Sequence, residues 1–160
     1  MRYDASVSHP QPGAAAPRFE MSADDGSTVS NDSLAGRRFI LYFYPKDDTP
    51  GCTVQACSLR DNFERLMEAG VEVFGVSPDS VSSHVKFRAK FDLPYRLLAD
   101  VGHGVAEAYG VWVEKTFAGR TYRGVERSSF IIGPDGRVEH VLARVKPIEH
   151  VDQVLDALAS

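Results

Sequence analysis

Cysteine is scarce in this chain: 160 residues contain two, Cys52 and Cys57. Two thiols are too few for a disulfide scaffold. Their number points to a reducing, cytoplasmic setting, where closely spaced cysteines do chemistry instead of stapling the fold. No apolar run approaches the roughly 20 residues of a membrane helix. The start of the chain, with Asp4 and only a brief Ala14-Ala15-Ala16 cluster, lacks the pattern of a signal peptide. Positive charge is not in excess either. A net charge of -4 and a pI near 5.7 leave no electrostatic case for binding nucleic acid or an anionic membrane. Repeats and low-complexity tracts are missing. The five histidines (His9, His84, His103, His140 and His150) are scattered and there is no second cysteine pair, so no ligand set for a tetrahedral metal is in view.

The length suits one domain with a substantial core. Residues 1–16, rich in Pro, Ser, Ala and Gln, read as an extended or poorly ordered arm. Residues 17–160 read as a single α/β domain. Asp24-Asp25-Gly26 marks a turn between two short strands within Arg18 to Ser30, and Gly36 stops a helical turn from Asp32. Arg38 to Tyr44 is apolar on both faces, as a central strand covered on two sides should be. A helix through Ala69 follows, placing Ala56, Leu59, Phe63, Leu66 and Met67 on one face, with Gly70 as its stop. Val71 to Val76 is a second buried strand, and strand–helix–strand over this length predicts a parallel, right-handed βαβ unit. Asp79 or Ser80 caps a helix to about Phe91. A strand over Arg96 to Ala99 and a short helix over Val101 to Tyr109 come next. Gly133-Pro134-Asp135-Gly136 joins strands Ser128 to Ile132 and Arg137 to Leu142 as a hairpin. Ile148, Val151, Val154, Leu155 and Leu158 stripe a closing helix. These elements predict a mixed central sheet flanked by helices.

Both cysteines lie in the segment from Tyr44 to Cys57, after the central strand. The turn Thr49-Pro50-Gly51 puts Cys52 in or just before the first turn of a helix. There, free N–H groups and the helix dipole favour an anion, so a thiol ionises more readily than an isolated one. Thr49 reads as N-cap and Pro50 as N1. The Thr49 hydroxyl could merely cap, or could donate and accept beside the sulfur. Pro45 could merely end the strand or could shield the sulfur from water. The pair itself could be buried and inert, which suits Cys57 better than Cys52, or a redox couple. On a regular helix, positions five apart have Cα atoms roughly 8.5 Å apart, beyond the roughly 4.4–6.8 Å a disulfide needs. Pairing therefore requires the first turns to unwind. A helix N-terminus contributes only about 0.3–1 kcal/mol to an anion, so a cation from a distant segment is needed. Arg127, just before an apolar strand, is the candidate, against the plainer reading of a solvated surface arginine.

Tyr42-Phe43-Tyr44-Pro45-Lys46, Thr49-Pro50-Gly51-Cys52-Thr53-Val54-Gln55-Ala56-Cys57 and Leu59-Arg60-Asp61-Asn62 closely resemble the peroxiredoxins of the bacterioferritin comigratory protein, or peroxiredoxin Q, type. The likeness continues through Tyr109-Gly110-Val111-Trp112, Arg127 to Ile132 and Asp135-Gly136, covering the chain from about Ala16 onward. It implies a thioredoxin-like fold with an N-terminal extension and an inserted segment. It also implies a cysteine peroxidase with neither metal nor organic cofactor. Cys52 would attack hydrogen peroxide or an organic hydroperoxide and become a sulfenic acid. Cys57 would resolve it as an intramolecular disulfide, reduced in turn by thioredoxin or a similar dithiol. Arg127 would hold the thiolate and polarise the peroxide, Thr49 would bond thiolate and substrate, and Pro45 would exclude water. Gln55 stands where many peroxiredoxins carry glutamate. A monomer is the expectation for this subgroup. Two other functions fit the same residues: a thiol–disulfide oxidoreductase acting on proteins, and a non-catalytic redox sensor.

Overall fold

The computed structural model describes residues 9–159. The strand read as central is central. Arg38–Phe43 (β3) lies between Val71–Ser77 (β4), to which it runs parallel, and Ser128–Ile132 (β8), to which it runs antiparallel. Arg96–Ala99 (β5) extends the parallel side. The strands Glu20–Ala23 (β1) and Thr28–Ser30 (β2) close that edge, and Val138–Leu142 (β9) closes the other. The order is β2-β1-β5-β4-β3-β8-β9, a mixed seven-stranded sheet.

Alternation along β3 explains its unbroken apolar sequence. Phe39, Leu41 and Phe43 enter one core cluster, while Ile40, Tyr42 and Tyr44 enter the other. The second cluster is closed by Pro50–Asp61 (α1), Phe63–Glu68 (α2), Val81–Phe91 (α3) and His150–Ala159 (α5). The first packs on Gly104–Ala108 (α4) and the N-terminal strands. Residues 9–16 run beside β9, with Gly13 N–H donating to the Val138 carbonyl at 2.8 Å and Ala15 bridging Arg137. Of the arm expected over residues 1–16, residues 1–8 lie outside the described residues.

Four expectations need correcting. The helix after the cysteines is two helices, because Asn62 leaves helical geometry and its side chain donates to the Ser58 carbonyl at 2.9 Å. Leu66 stays buried but Met67 is 60% exposed, so it does not belong to the apolar face. The helix expected from Val101 starts only at Gly104. The Asp100 carboxylate accepts from the N–H groups of Val105 (3.0 Å) and Ala106 (2.8 Å), which sets the start there. Ile148, 77% exposed, precedes α5 and is not on its stripe. Apart from these, Trp112–Phe117 (β6) and Arg120–Val125 (β7) form a separate antiparallel hairpin in a stretch left unassigned from the sequence.

Gly75 in β4 pairs with Tyr42, whose ring crosses directly over it. A Cβ there would lie 2.8 Å from Tyr42 Oη and 2.9 Å from Leu97 Cδ2. Tyr42 donates to Tyr95, which donates to the Ala56 carbonyl of α1 at 3.1 Å. Replacing Gly75 by alanine therefore overpacks the layer between sheet and α1. The expected cost is about 1–3 kcal/mol in the unfolding free energy, read from a lowered denaturant midpoint.

Candidate active site

Cys52 sits at the third helical position of α1, after Thr49 at the N-cap and Pro50 at the first position. The N–H groups of Gly51 and Cys52 fall where a helix offers no intrahelical acceptor. Cys52 is 2% exposed, with Tyr42, Tyr44 and Ala56 in the same apolar cluster. Arg127 Nη2 donates to Cys52 Sγ at 3.3 Å. The guanidinium reaches the helix end because position 51 is glycine: a Cβ there would lie 3.2 Å from Nη2. A buried anion is costly unless paired and hydrogen-bonded, and this one charge partner meets both needs.

Arg127 is itself held. Its Nη1 donates to Gln55 Oε1 at 2.6 Å, and its carbonyl accepts from Val145 N–H at 2.9 Å. The wholly buried Gln55 side chain continues to His150 Nδ1 at 3.1 Å, and His150 Nε2 continues to Ser129 Oγ at 2.7 Å. Guanidinium can only donate, which fixes the rest. Gln55 must present its oxygen to Arg127 and its NH2 to His150. Nδ1 must then be the lone-pair nitrogen, and Nε2–H donates to Ser129. The imidazole is neutral. Burial and, behind it, the charge of Arg127 lower its pKa from 6.5 to about 4.

The loop that carries Thr49 is clamped from below. Asp47 accepts from Tyr44 Oη (2.6 Å) and Ser83 Oγ (2.8 Å), lies 2.7 Å from His84 Nδ1, and donates its own N–H to Asp79 (2.8 Å). Asp79 thus serves the loop, and Ser80 alone caps α3, accepting from Ser83 N–H. Thr49 makes no side-chain cap; its hydroxyl donates to the Lys46 carbonyl at 2.9 Å. With its proton committed there, Thr49 Oγ1 has only acceptor lone pairs to offer. Pro45 is half-buried at the end of β3. Cys57, partly exposed in the second turn of the same helix, is a free thiol like Cys52. Half-buried Lys115 on β6 borders the site. Burial lowers its pKa, as does repulsion from Arg127, while attraction to Cys52 opposes them.

Of the residues read from the sequence, Cys52 and Arg127 are thus in direct contact. Thr49 and Pro45 lie on the adjoining loop, and Cys57 lies one turn away. Sequence reasoning missed His150, Ser129 and the clamp at Asp47. His150 is 95 positions from Gln55, and no spacing rule links them. The one available signal was Ser129 lying two residues after Arg127, just inside the strand that Arg127 precedes.

The neutral imidazole has a measurable consequence. Unfolded, His150 takes up a proton below about pH 6.5; folded, only below about 4. Its contribution is therefore intact above pH 6.5 and lost as pH falls towards 4. The stability advantage of wild type over His150→Asn should narrow by on the order of 3 kcal/mol between pH 7 and pH 4, measured by denaturant unfolding at each pH. A constant difference would show that the imidazole is not held neutral.

The pattern of the AhpC/TSA family matches residues 12–141. Peroxiredoxin Bcp of Escherichia coli (strain K12) is 47% identical over 146 residues, spanning 91% of this chain and 94% of that one. A solved structure of peroxiredoxin Q from Xanthomonas campestris superposes with a TM-score of 0.85 at 35% identity, covering 96% of this chain and 97% of that one. The bacterioferritin comigratory protein of the same organism, studied for its alkyl peroxide reduction activity, superposes with a TM-score of 0.84 at 34% identity, covering 94% and 96%. The architecture is thioredoxin-like, a mixed sheet flanked by helices. The chain belongs to the AhpC/TSA family, among the peroxiredoxins of the Bcp type, and is a thiol-dependent peroxidase.

Proposed function

We propose that Cys52 is the peroxidatic cysteine, that Cys57 resolves it, and that the substrates are hydrogen peroxide and organic hydroperoxides. The observation that carries this reading is the guanidinium of Arg127, 3.3 Å from the sulfur of a cysteine that is 2% exposed at a helix N-terminus. A sulfur so enclosed is reachable by a small hydroperoxide and not by a protein disulfide, which favours peroxidase chemistry over thiol exchange with proteins.

The thiolate of Cys52 attacks the terminal oxygen of the hydroperoxide. The S–O bond forms as the O–O bond breaks, the sulfur is oxidised by two electrons, and the leaving alkoxide or hydroxide takes a proton from solvent. Arg127 and the free N–H groups of the first turn face the developing negative charge, the arrangement that lowers such barriers most. Thr49 Oγ1, an acceptor by virtue of its bond to Lys46, receives the hydroperoxide O–H. Pro45 covers the approach from the strand side. Cys57 then attacks the sulfenic sulfur. The S–S bond forms, the S–O bond breaks, and the hydroxyl leaves as water with the Cys57 proton. A dithiol of the thioredoxin kind reduces the disulfide by exchange. No step uses a metal or organic cofactor. We place the enzyme in the cytoplasm as a monomer.

The test is the oxidation of reduced protein by stoichiometric hydrogen peroxide. Cys52→Ser should not react. Arg127→Ala should slow Cys52 oxidation by about 10²–10³-fold, the loss seen when one donor to a developing oxyanion is removed. Cys57→Ser should oxidise normally, stop at the sulfenic acid and fail to cycle with a dithiol reductant. Wild-type reaction no faster than that of free cysteine would remove Cys52 from its role. Full cycling by Cys57→Ser would remove Cys57 from its own.

A further inference from the structure

Gln55 lies between the two cysteines, three residues after Cys52 and two before Cys57. Its side chain is wholly buried, and both its hydrogen bonds, to Arg127 at 2.6 Å and to His150 at 3.1 Å, exist only while the first turns of α1 stay wound. The rest of the helix is anchored separately. Tyr95 Oη donates to the Ala56 carbonyl at 3.1 Å, and Arg60 Nη1 donates to the Phe91 carbonyl at 2.7 Å. Beyond Asn62 the chain starts a new helix. Unwinding from Pro50 to Gln55 would therefore leave the remainder in place, and Gln55 is the residue in that stretch with side-chain ties to other elements at both of its polar atoms.

We infer that His150, backed by Ser129, is a positioning residue that latches Gln55. Through that one amide it holds Arg127 on the sulfur for the reaction with peroxide and keeps the first turns wound against disulfide formation. The inference rests on the resolving role proposed for Cys57. It sets the two half-reactions in opposition: whatever tightens the latch speeds the attack on peroxide and slows the formation of the disulfide. Ser129 lies in β8, two residues after Arg127, which immediately precedes that strand. His150 opens α5. The latch therefore ties α1 to β8 and α5 at once.

Two substitutions separate the latch from mere packing. His150→Phe keeps a ring against Tyr42, which the imidazole faces with centroids 5.7 Å apart, but offers no acceptor. His150→Asn places an amide oxygen near the position of Nδ1. Reduced proteins are mixed with stoichiometric hydrogen peroxide in quenched flow, and intact-protein mass spectrometry follows sulfenic acid and disulfide over time. His150→Phe should form sulfenic acid about tenfold more slowly, as the loss of one buried hydrogen bond allows, and convert it to disulfide several-fold faster. His150→Asn should recover both rates, and Gln55→Leu combined with His150→Phe should be no worse than Gln55→Leu alone. Disulfide formation that is not faster in His150→Phe overturns the inference, as does an asparagine variant no better than the phenylalanine one. Cys57→Ser is run beside them: a disulfide-dependent cycle that survives in it overturns the resolving role, and the latch with it, whatever the His150 variants do.

Discussion

A single contact, guanidinium to sulfur, sets the terms for the rest of the molecule. Cys52 is buried, and a buried anion requires a fixed, hydrogen-bonding charge partner. The cation that meets this sulfur comes from a residue 75 positions away. The sheet order is what makes the meeting possible. β8 hydrogen-bonds to β3 with Phe43 opposite Ser128, so the residue before β8 arrives at the end of β3, where the cysteine loop begins. The parallel unit β3–α1–β4 fixes the helix N-terminus at that same edge. Without the antiparallel neighbour the helix would present a thiol with a dipole alone, worth about 0.3–1 kcal/mol.

Under the roles proposed for Cys52 and Cys57, the helix bearing the thiols has two incompatible duties. It would hold Cys52 at its first turn for attack, yet both thiols can join only when the turns between them open. The fold divides these duties along the helix. The half from Ala56 onward is fastened to Tyr95 and to the Phe91 carbonyl, whereas the half before it is fastened to the site itself, through Cys52 and Gln55. The loop ahead of the helix is a third, rigid piece. Asp47 ties it to β3, to α3 and to Asp79, and Lys90 pairs with Asp48 at 2.7 Å. A fixed loop and a fixed distal half confine opening to residues 50–55.

How much of this was legible in the sequence depends on whether the signal was local. The buried strands, the Gly-Pro-Asp-Gly hairpin and the placement of Cys52 in a first turn rest on neighbouring residues, and the structure has them there. The β6–β7 hairpin was illegible for two reasons. Its strands are mostly exposed and carry no core alternation. Its turn, with Ala118 at φ +52° and Gly119 at φ +77°, sets alanine where Asn or Asp usually announces such geometry. Met67 and Ile148 obeyed the helical period and still point to solvent, because the period runs through Asn62 in one case and begins before α5 in the other. Arg127 was found by demanding a cation for the sulfur, a physical need rather than a pattern. His150 answers no such need visible from Cys52 alone, since it acts two residues removed.

That second remove gives the amide at position 55 its meaning. A carboxylate there would accept from Arg127 equally well, but it would also be an anion 2.6 Å from Nη1, sharing the guanidinium charge with the thiolate. It would require a donor, not an acceptor, from His150 Nδ1, and so would reverse the imidazole and its bond to Ser129. With glutamine, every hydrogen bond points the same way, from Arg127 through Gln55 and His150 to Ser129. Each donor is polarised by the one before it. The amide adds no negative charge to compete with the sulfur for the guanidinium and keeps the imidazole uncharged. The pairing of Gln55 with a neutral His150 is therefore one choice made at two positions: the amide at 55 needs an acceptor from 150, and a carboxylate at 55 would need a donor there.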